Sequence, residues 1–216
     1  MGVCRSSVAL PDVDGENGVT CENLSIITPC SRPHHLARIR ETIPDGAQWI
    51  VVLDRPNLDD APRELLGASE IEFYSTTGAG IDGNPQRNLG LSYARREYVY
   101  FLDDDNIVHP ALSSVVAAHA RDGKVVVVNQ LRADGTVRLR ARPPVRTGRV
   151  DTAQFLVPRD VAVRHRWKVD AKFADGAYFS EIYAQRPEAF AFVDVDAAYY
   201  NFLEPEHRRR SDGFRR

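Results

Sequence analysis

No stretch of this 216-residue sequence approaches the roughly 18 consecutive apolar residues that a membrane-spanning helix needs. Residues 1–22 lack the apolar run of a secretory signal as well, and read as a polar leader. Cysteine is scarce. Cys4, Cys21 and Cys30 are an odd set with no CxxC pair, which excludes a disulfide framework. Cys30 with His34 and His35 has no matching second pair for a zinc site. Reduced thiols and a cytoplasmic location are the expectation. Excess charge of one sign is missing too: Lys and Arg number 28 against 30 Asp and Glu, a net charge of −2. A chain so balanced is not built as a general nucleic-acid binder, and no such partner is expected. Solenoid-length repeats, a GxxxxGK[ST] phosphate loop and a GxSxG elbow are absent.

What is present is an alternation of strand and helix patterns. Leu24-Ser25-Ile26-Ile27 reads as a first buried strand, ending in Thr28-Pro29. Helical spacing runs from Pro33 through Leu36, Ile39 and Ile43. Trp49–Leu53 is β-branched and apolar, the pattern of a strand covered on both faces, and Asp54 ends it. Ala61–Leu66 suggests a short helix and Ile71–Tyr74 a third strand. A Gly-rich loop over 75–84 leads to a helix at Pro85–Arg96, a strand at Tyr98–Leu102, a helix at Pro110–Arg121 and a strand at Lys124–Asn129. This order predicts a single α/β domain with a mostly parallel central sheet and helices on both faces. Residues 23–130 form its regular half. In the less regular half, 131–206, strand-like pieces fall in 148–158 and 191–203, and Phe173–Gln185 reads as a loop entering a helix. Residues 207–216 are a basic tail, which could meet an anionic membrane surface but as an Arg-rich terminus is more often solvated.

Ligands in such sheets bind beyond the carboxyl ends of the strands, and two of those ends carry acids. Asp103-Asp104-Asp105-Asn106 follows the apolar run YVYFL directly. Three adjacent carboxylates repel one another unless a cation offsets them, and oxygen ligands suit Mg²⁺ or Mn²⁺. The plainer alternative is an Asp-rich turn. Gly78–Gly83 matches GxGxxG literally, but it lies late in the sheet and Pro85 opens the helix after its last glycine, so a loop fits better than a dinucleotide site. Arg87 sits in a first helical turn, where the dipole disfavours a cation. It is a candidate for holding phosphate or a pair of carboxylates, or else a surface residue. Asp54 could accept hydrogen bonds from a base or ribose, or simply close a turn. Asp175 is a helix cap or a general base, and the residues alone lean to the cap.

Taken in order, TPCSRP after the first strand, WIVVLD, the Gly-rich loop, PQRNLGL and VYFLDDDN resemble the nucleotide-diphosphosugar glycosyltransferases of the GT-A fold. The chain looks like the large family 2 of inverting transferases and is similar to the family 43 β-1,3-glucuronosyltransferases. The likeness covers about residues 24–112. It implies an inverting, metal-dependent transfer from a UDP-sugar to a glycan or other hydroxyl acceptor. By resemblance, Thr28, Pro29 and Arg32 line the nucleotide site, Asp54 contacts uracil or ribose, and Arg87 faces the diphosphate or donor sugar. Asp105 binds Mn²⁺ or Mg²⁺, while Asp103 or Asp104 reaches the ribose or sugar. Asp175 takes the place of the catalytic base, with Glu181 as rival, and His207 matches a late His that touches the diphosphate or the metal. No QxxRW motif follows, and Arg166-Trp167 lies upstream of Asp175 instead. A nucleotidyltransferase or a non-catalytic sugar-nucleotide binder are the alternative readings. The chain is short for either family, which fits a soluble bacterial or viral enzyme.

Overall fold

A computed structural model describes residues 20–67, 71–76, 83–119, 122–169 and 173–205. One mixed sheet organises them. Its parallel part contains β1 (Leu24–Cys30), β2 (Gln48–Asp54), β3 (Ile71–Thr76) and β4 (Tyr98–Phe101), in the order β3-β2-β1-β4. The order continues through β7 (Phe155–Pro158), β5 (Val125–Arg132) and β6 (Val137–Leu139), and the long β8 (Phe190–Tyr200) pairs in parallel with β5.

Side chains along a strand alternate between its faces, and here they sort into two cores. Ile26, Trp49, Val51, Tyr100, Val126 and Leu156 face one core. Ile27, Ile50, Val52, Phe101, Val127 and Phe155 face the other. Helices α1 (Leu36–Arg40) and α3 (Leu112–His119) supply Leu36, Ile39, Leu112 and Val115 to the first core. On the opposite face, α2 (Asn84–Tyr93), α4 (Arg159–Ala162) and α5 (Ala174–Gln185) supply Leu91, Ala162, Phe179 and Ile182. Both faces of the sheet are therefore covered, as the continuous apolar strands require.

Some expectations change in detail. The strand at Lys124–Asn129 exists as β5 but does not extend the parallel run. The edge of β4 is taken by β7, antiparallel, and β5 pairs antiparallel to β7. The helix expected through Ile43 is a single 3₁₀ turn at Pro33–His35 followed by α1, which ends at Arg40. The short helix near Leu65 is likewise a 3₁₀ turn, Arg63–Leu65. The polar leader and the basic tail lie outside the described residues. Among the described residues no helix is long and apolar enough to cross a membrane. Cys21 and Cys30 are free and buried; burial pushes the Cys30 thiol up to about 12, so it is no nucleophile.

Because β1, β2 and β4 are parallel, their carboxyl ends open on one edge, where residues 31–32, Asp54 and Asp103–Asp105 emerge together. Helix α2 packs close over β1. A Cβ at Gly90 would come 2.5 Å from Ile27 Cγ2, and Ile27 is fully buried. Gly→Ala in a helix interior ordinarily stabilises by about 1 kcal/mol. Here overpacking should reverse the sign: Gly90→Ala is expected to destabilise by about 1–3 kcal/mol, read as a lower urea midpoint.

Candidate active site

A cavity of about 640 Å³ lies at that edge. Pro29, Arg32, Asp54, Arg87, Asp103, Asp104, Asp105 and Asp175 all line it, so residues expected from distant parts of the sequence meet in one place. Thr28 does not. Its side chain falls on the same face of β1 as Ile26, is fully buried, and accepts a hydrogen bond from Trp49 Nε1 at 2.9 Å. It belongs to the core rather than to a nucleotide site.

The three adjacent aspartates have separate partners. Asp104 Oδ2 accepts from Ser31 N (2.6 Å), Ser31 Oγ (3.0 Å) and Arg32 N (2.8 Å). Its Oδ1 accepts from Arg32 Nε (3.0 Å) and Nη2 (2.5 Å). Burial alone would raise its pKa, but Arg32 and these backbone donors outweigh burial and hold it below the usual value. With five protein donors on its carboxylate, Asp104 fixes the loop after β1; it is not placed to reach a ribose or sugar. Arg32 also bonds Glu204 at 2.8 Å and lies 3.2 Å from Asp105, so it gathers acids rather than standing open in the cavity.

Asp103 accepts from Arg87 Nη2 at 2.5 Å. Burial raises its pKa, with Arg87 acting against that rise. Arg87 is 6% exposed, bonds Asn84 Oδ1 at 3.1 Å and lies 4.7 Å from the Trp167 ring centre. This explains a cation in a first helical turn: its partner is a carboxylate of β4's extension. Asp105 shares Arg32 with Asp104, at 3.2 Å, and accepts from Asn106 Nδ2 at 3.1 Å. Its burial and the neighbouring charge of Asp103 push it up to about 7.

The base candidate comes from the opposite side. Helix α5 opens at Ala174 after Phe173, which is held in the left-handed region at φ 60° and is 58% exposed at the cavity. No side chain caps the helix, so Asp175 is in its first turn and is not the N-cap. Burial pushes Asp175 up to about 6. The helix is seated by aromatic packing: Tyr178 stacks on Trp167 at 4.4 Å, and Phe179 on Phe155 at 3.8 Å. Asn88 holds the Trp167 backbone through both its amide atoms, at 2.9 and 3.0 Å. The PQRN segment thus ties the aspartates to the base helix. Glu181 lies outside the cavity, exposed, 3.6 Å from His165 and 3.9 Å from Lys168. His207 and residues 78–82 of the GxGxxG stretch lie outside the described residues.

Sequence reasoning missed Asp151 and Tyr200, which also line the cavity. Asp151 accepts from Gln130 Nε2 (2.9 Å) and Arg138 Nη1 (3.0 Å), and it forms a capping box with Gln154. Its signal in the sequence, Asp three residues before Gln, announces a cap and not a site.

Asp103, Asp105 and Asp175 present oxygen donors only, and burial and mutual repulsion raise the pKa of each. Such a set fits a hard divalent cation. A second group, His34, His35 and Glu204, brings ligand atoms within 4.8 Å of one another behind Arg32. His35 Nδ1 pairs with the Asp104 carbonyl at 2.7 Å and Arg32 already engages Glu204, so the geometry there is that of a polar network bracing the loop.

Residues 47–179 match Glycosyl transferase family 2. No curated protein matches the chain. Among solved structures, S. aureus TarS 1–349 is similar at TM-score 0.61 and 13% identity, over 82% of this chain and 60% of that one. The same protein in complex with UDP gives TM-score 0.54 at 12% identity, over 82% and 60%. Its complex with UDP-GlcNAc gives 0.51 at 12%, over 82% and 58%. The chain therefore spans about 60% of the length of these structures, and the likeness shows the GT-A fold.

The raised acids set a pH dependence of stability. Asp105 and Asp175 bind protons more tightly folded than unfolded, where a carboxyl titrates near 3.8. Between about pH 4 and 7 the native state holds more protons, so its stability falls as pH rises through that window. Asp104, shifted the other way, acts only below it. The metal-free protein should melt higher at pH 5 than at pH 8, and Mn²⁺ should recover the difference at pH 8; a thermal melt series reads both.

Proposed function

The chain belongs to Glycosyl transferase family 2, and we propose that it transfers a sugar from a nucleoside-diphosphate donor, a UDP-sugar, to an acceptor hydroxyl with inversion, aided by Mn²⁺ or Mg²⁺. One observation carries this reading. Asp105 and Asp175, seventy residues apart in sequence, line the same cavity at the carboxyl ends of parallel strands, and both have raised proton affinity. A UDP donor is further supported by the TarS complexes with UDP and UDP-GlcNAc.

In this reading Asp54 and Pro29 receive the nucleoside at the ends of β2 and β1. Asp105, with Asp103 beside it, would hold the cation. A divalent ion held there would supply Lewis-acid stabilisation of the charge on the leaving diphosphate. Arg87 opposes the rise in Asp103's proton affinity and holds its carboxylate in place through their 2.5 Å contact. Asp175, titrating at about 6, is ionised at neutral pH yet basic enough to take a proton from the acceptor hydroxyl. The hydroxyl oxygen bonds to the anomeric carbon as the bond to the diphosphate breaks on the opposite face, and a single displacement inverts the centre. Phe173, exposed two residues before Asp175, offers a ring face to the acceptor.

Two substitutions separate the roles. Asp105→Asn should abolish the Mn²⁺-dependent part of UDP binding, measured by calorimetry, and unchanged metal-dependent affinity would remove Asp105 from the metal site. Asp175→Asn should keep UDP binding and slow UDP release from UDP-GlcNAc by about 10²–10⁴-fold. With wild type, that rate should rise with pH through about 6, the value for Asp175. Full activity in Asp175→Asn would place the base elsewhere.

A further inference from the structure

The segment between Asp134 and Asp151 is distinctive. Its sixteen residues hold five arginines, Arg138, Arg140, Arg142, Arg146 and Arg149, and no acid, in a chain whose net charge is −2. Both its ends and its middle reach the cavity region. At one end Arg138 bonds Asp151 at 3.0 Å and lies 3.7 Å over the ring of Tyr200; both of those residues line the cavity. At the other end is Asp151 itself. In between, Val145 is buried in the core shared with α5 and pins the segment. Thr147 rests on the first turn of α5: a Cβ at Gly176, next to Asp175, would come 2.6 Å from Thr147 Cα. Thr147 Oγ1 also lies 3.3 Å from Ser180 Oγ. The backbone carrying the arginines therefore forms the rim beside the base.

Two of the five are engaged. Arg138 pairs with Asp151, and Arg140 lies 3.6 Å from Asp194. Arg142, Arg146 and Arg149 are exposed, with no ion-pair partner among the described residues. The cavity has the opposite sign, since six aspartates line it against Arg32 and Arg87. The interior suits a cation bridging to a donor, and by itself would repel an anionic acceptor. The rim supplies the attraction that the interior lacks. Guanidinium forks match phosphate and carboxylate oxygens, and charge placed at the mouth steers an approaching chain.

We infer that the acceptor carries phosphate or carboxylate groups, and that Arg142, Arg146 and Arg149 receive them while its hydroxyl reaches Asp175. This rests on the transferase reading above and names the acceptor class for the same site. A neutral acceptor would gain nothing from three exposed arginines with no ion-pair partner among the described residues.

The test uses the full chain and a fluorescein-labelled short inorganic polyphosphate in metal-free buffer, with neutral dextran and single-stranded RNA as comparisons, across a NaCl series. Wild type should bind polyphosphate and not dextran. The triple variant Arg142→Ser/Arg146→Ser/Arg149→Ser should lose at least about tenfold in affinity, and the slope of log affinity against log salt should fall by about 2, near 0.7 for each contact removed. Its UDP binding with Mn²⁺ should match wild type, which shows that it is folded and that the donor site is intact. Polyphosphate binding unchanged in the triple variant would overturn the inference, as would dextran binding as tightly. Much tighter binding of RNA than of polyphosphate would overturn it in favour of a nucleic-acid surface. If wild type instead binds polyphosphate through these arginines yet never binds UDP with Mn²⁺, the donor reading fails and the anion-binding rim stands.

Discussion

Crowding like charges into a low-dielectric cleft is the constraint on which the rest of the molecule depends. Asp103, Asp104, Asp105, Asp151 and Asp175 share one cavity, and each carboxylate raises the proton affinity of its neighbours. Protein cations offset only part of this. Arg32 takes Asp104, Arg87 takes Asp103 and Arg138 takes Asp151. Asp103, Asp105 and Asp175 keep the remainder, as their upward displacement records. A fold selected for stability alone would have no use for that remainder. On the function proposed above, it is what a bound cation would offset and a general base would use.

The scaffold is arranged to hold this unfavourable cluster still. Helix α2 joins three of its parts. Arg87 reaches Asp103, Asn84 Nδ2 donates to the Lys168 carbonyl at 3.1 Å, and Asn88 clamps Trp167, on which Tyr178 of α5 stacks. From the other side, the chain after β8 closes on the aspartate turn. Phe202 N donates to Asn106 Oδ1 at 3.1 Å, Leu203 N to the Asp105 carbonyl at 2.8 Å, and Glu204 bonds Arg32. Acids that repel are thus fixed by hydrogen bonds to segments a hundred residues away, so the preorganisation is supplied by the fold and not by the turn itself.

How legible this was depended on whether the cause was local. The strands β1, β2 and β4 are continuous apolar runs, and burial on both faces leaves few other ways to read them. Asp54 and Asp103–Asp105 followed from their place at strand ends. The insertion of β7 did not, because Phe155–Pro158 is a four-residue apolar stretch whose antiparallel pairing is decided by the open edge of β4. Asp151 was hidden for a different reason: its local role as a cap is real, and its place in the cavity arises only when β7 brings the preceding loop beside β4. Asp175 was ambiguous between cap and base because both put an acid at a helix start. The structure removes the cap reading, since Phe173 occupies the cap position and Asp175 the first turn.

Thr28 and the aspartate triplet illustrate one rule from two sides. In β4, Val99 and Phe101 face the core beneath α2 and α5, whereas Tyr100 and Leu102 face the core beneath α1 and α3. Continuing that alternation past the strand end directs Asp103 toward α2, where Arg87 meets it. It directs Asp104 toward the α1 side, where Ser31 and Arg32 bind it and His35 meets its carbonyl. Asp105, at the turn, has only a share of Arg32, at 3.2 Å. In β1 the same parity sets Thr28 with Leu24 and Ile26, inside the core, whatever its likeness to a binding motif suggests. Three consecutive identical residues can therefore do three different things, because a period of two assigns neighbours to opposite faces of one sheet. The motif's letters say that acids are present; the strand's parity decides which acid tightens the α2 contact, which one anchors the loop after β1, and which one is left at the turn with only a share of Arg32.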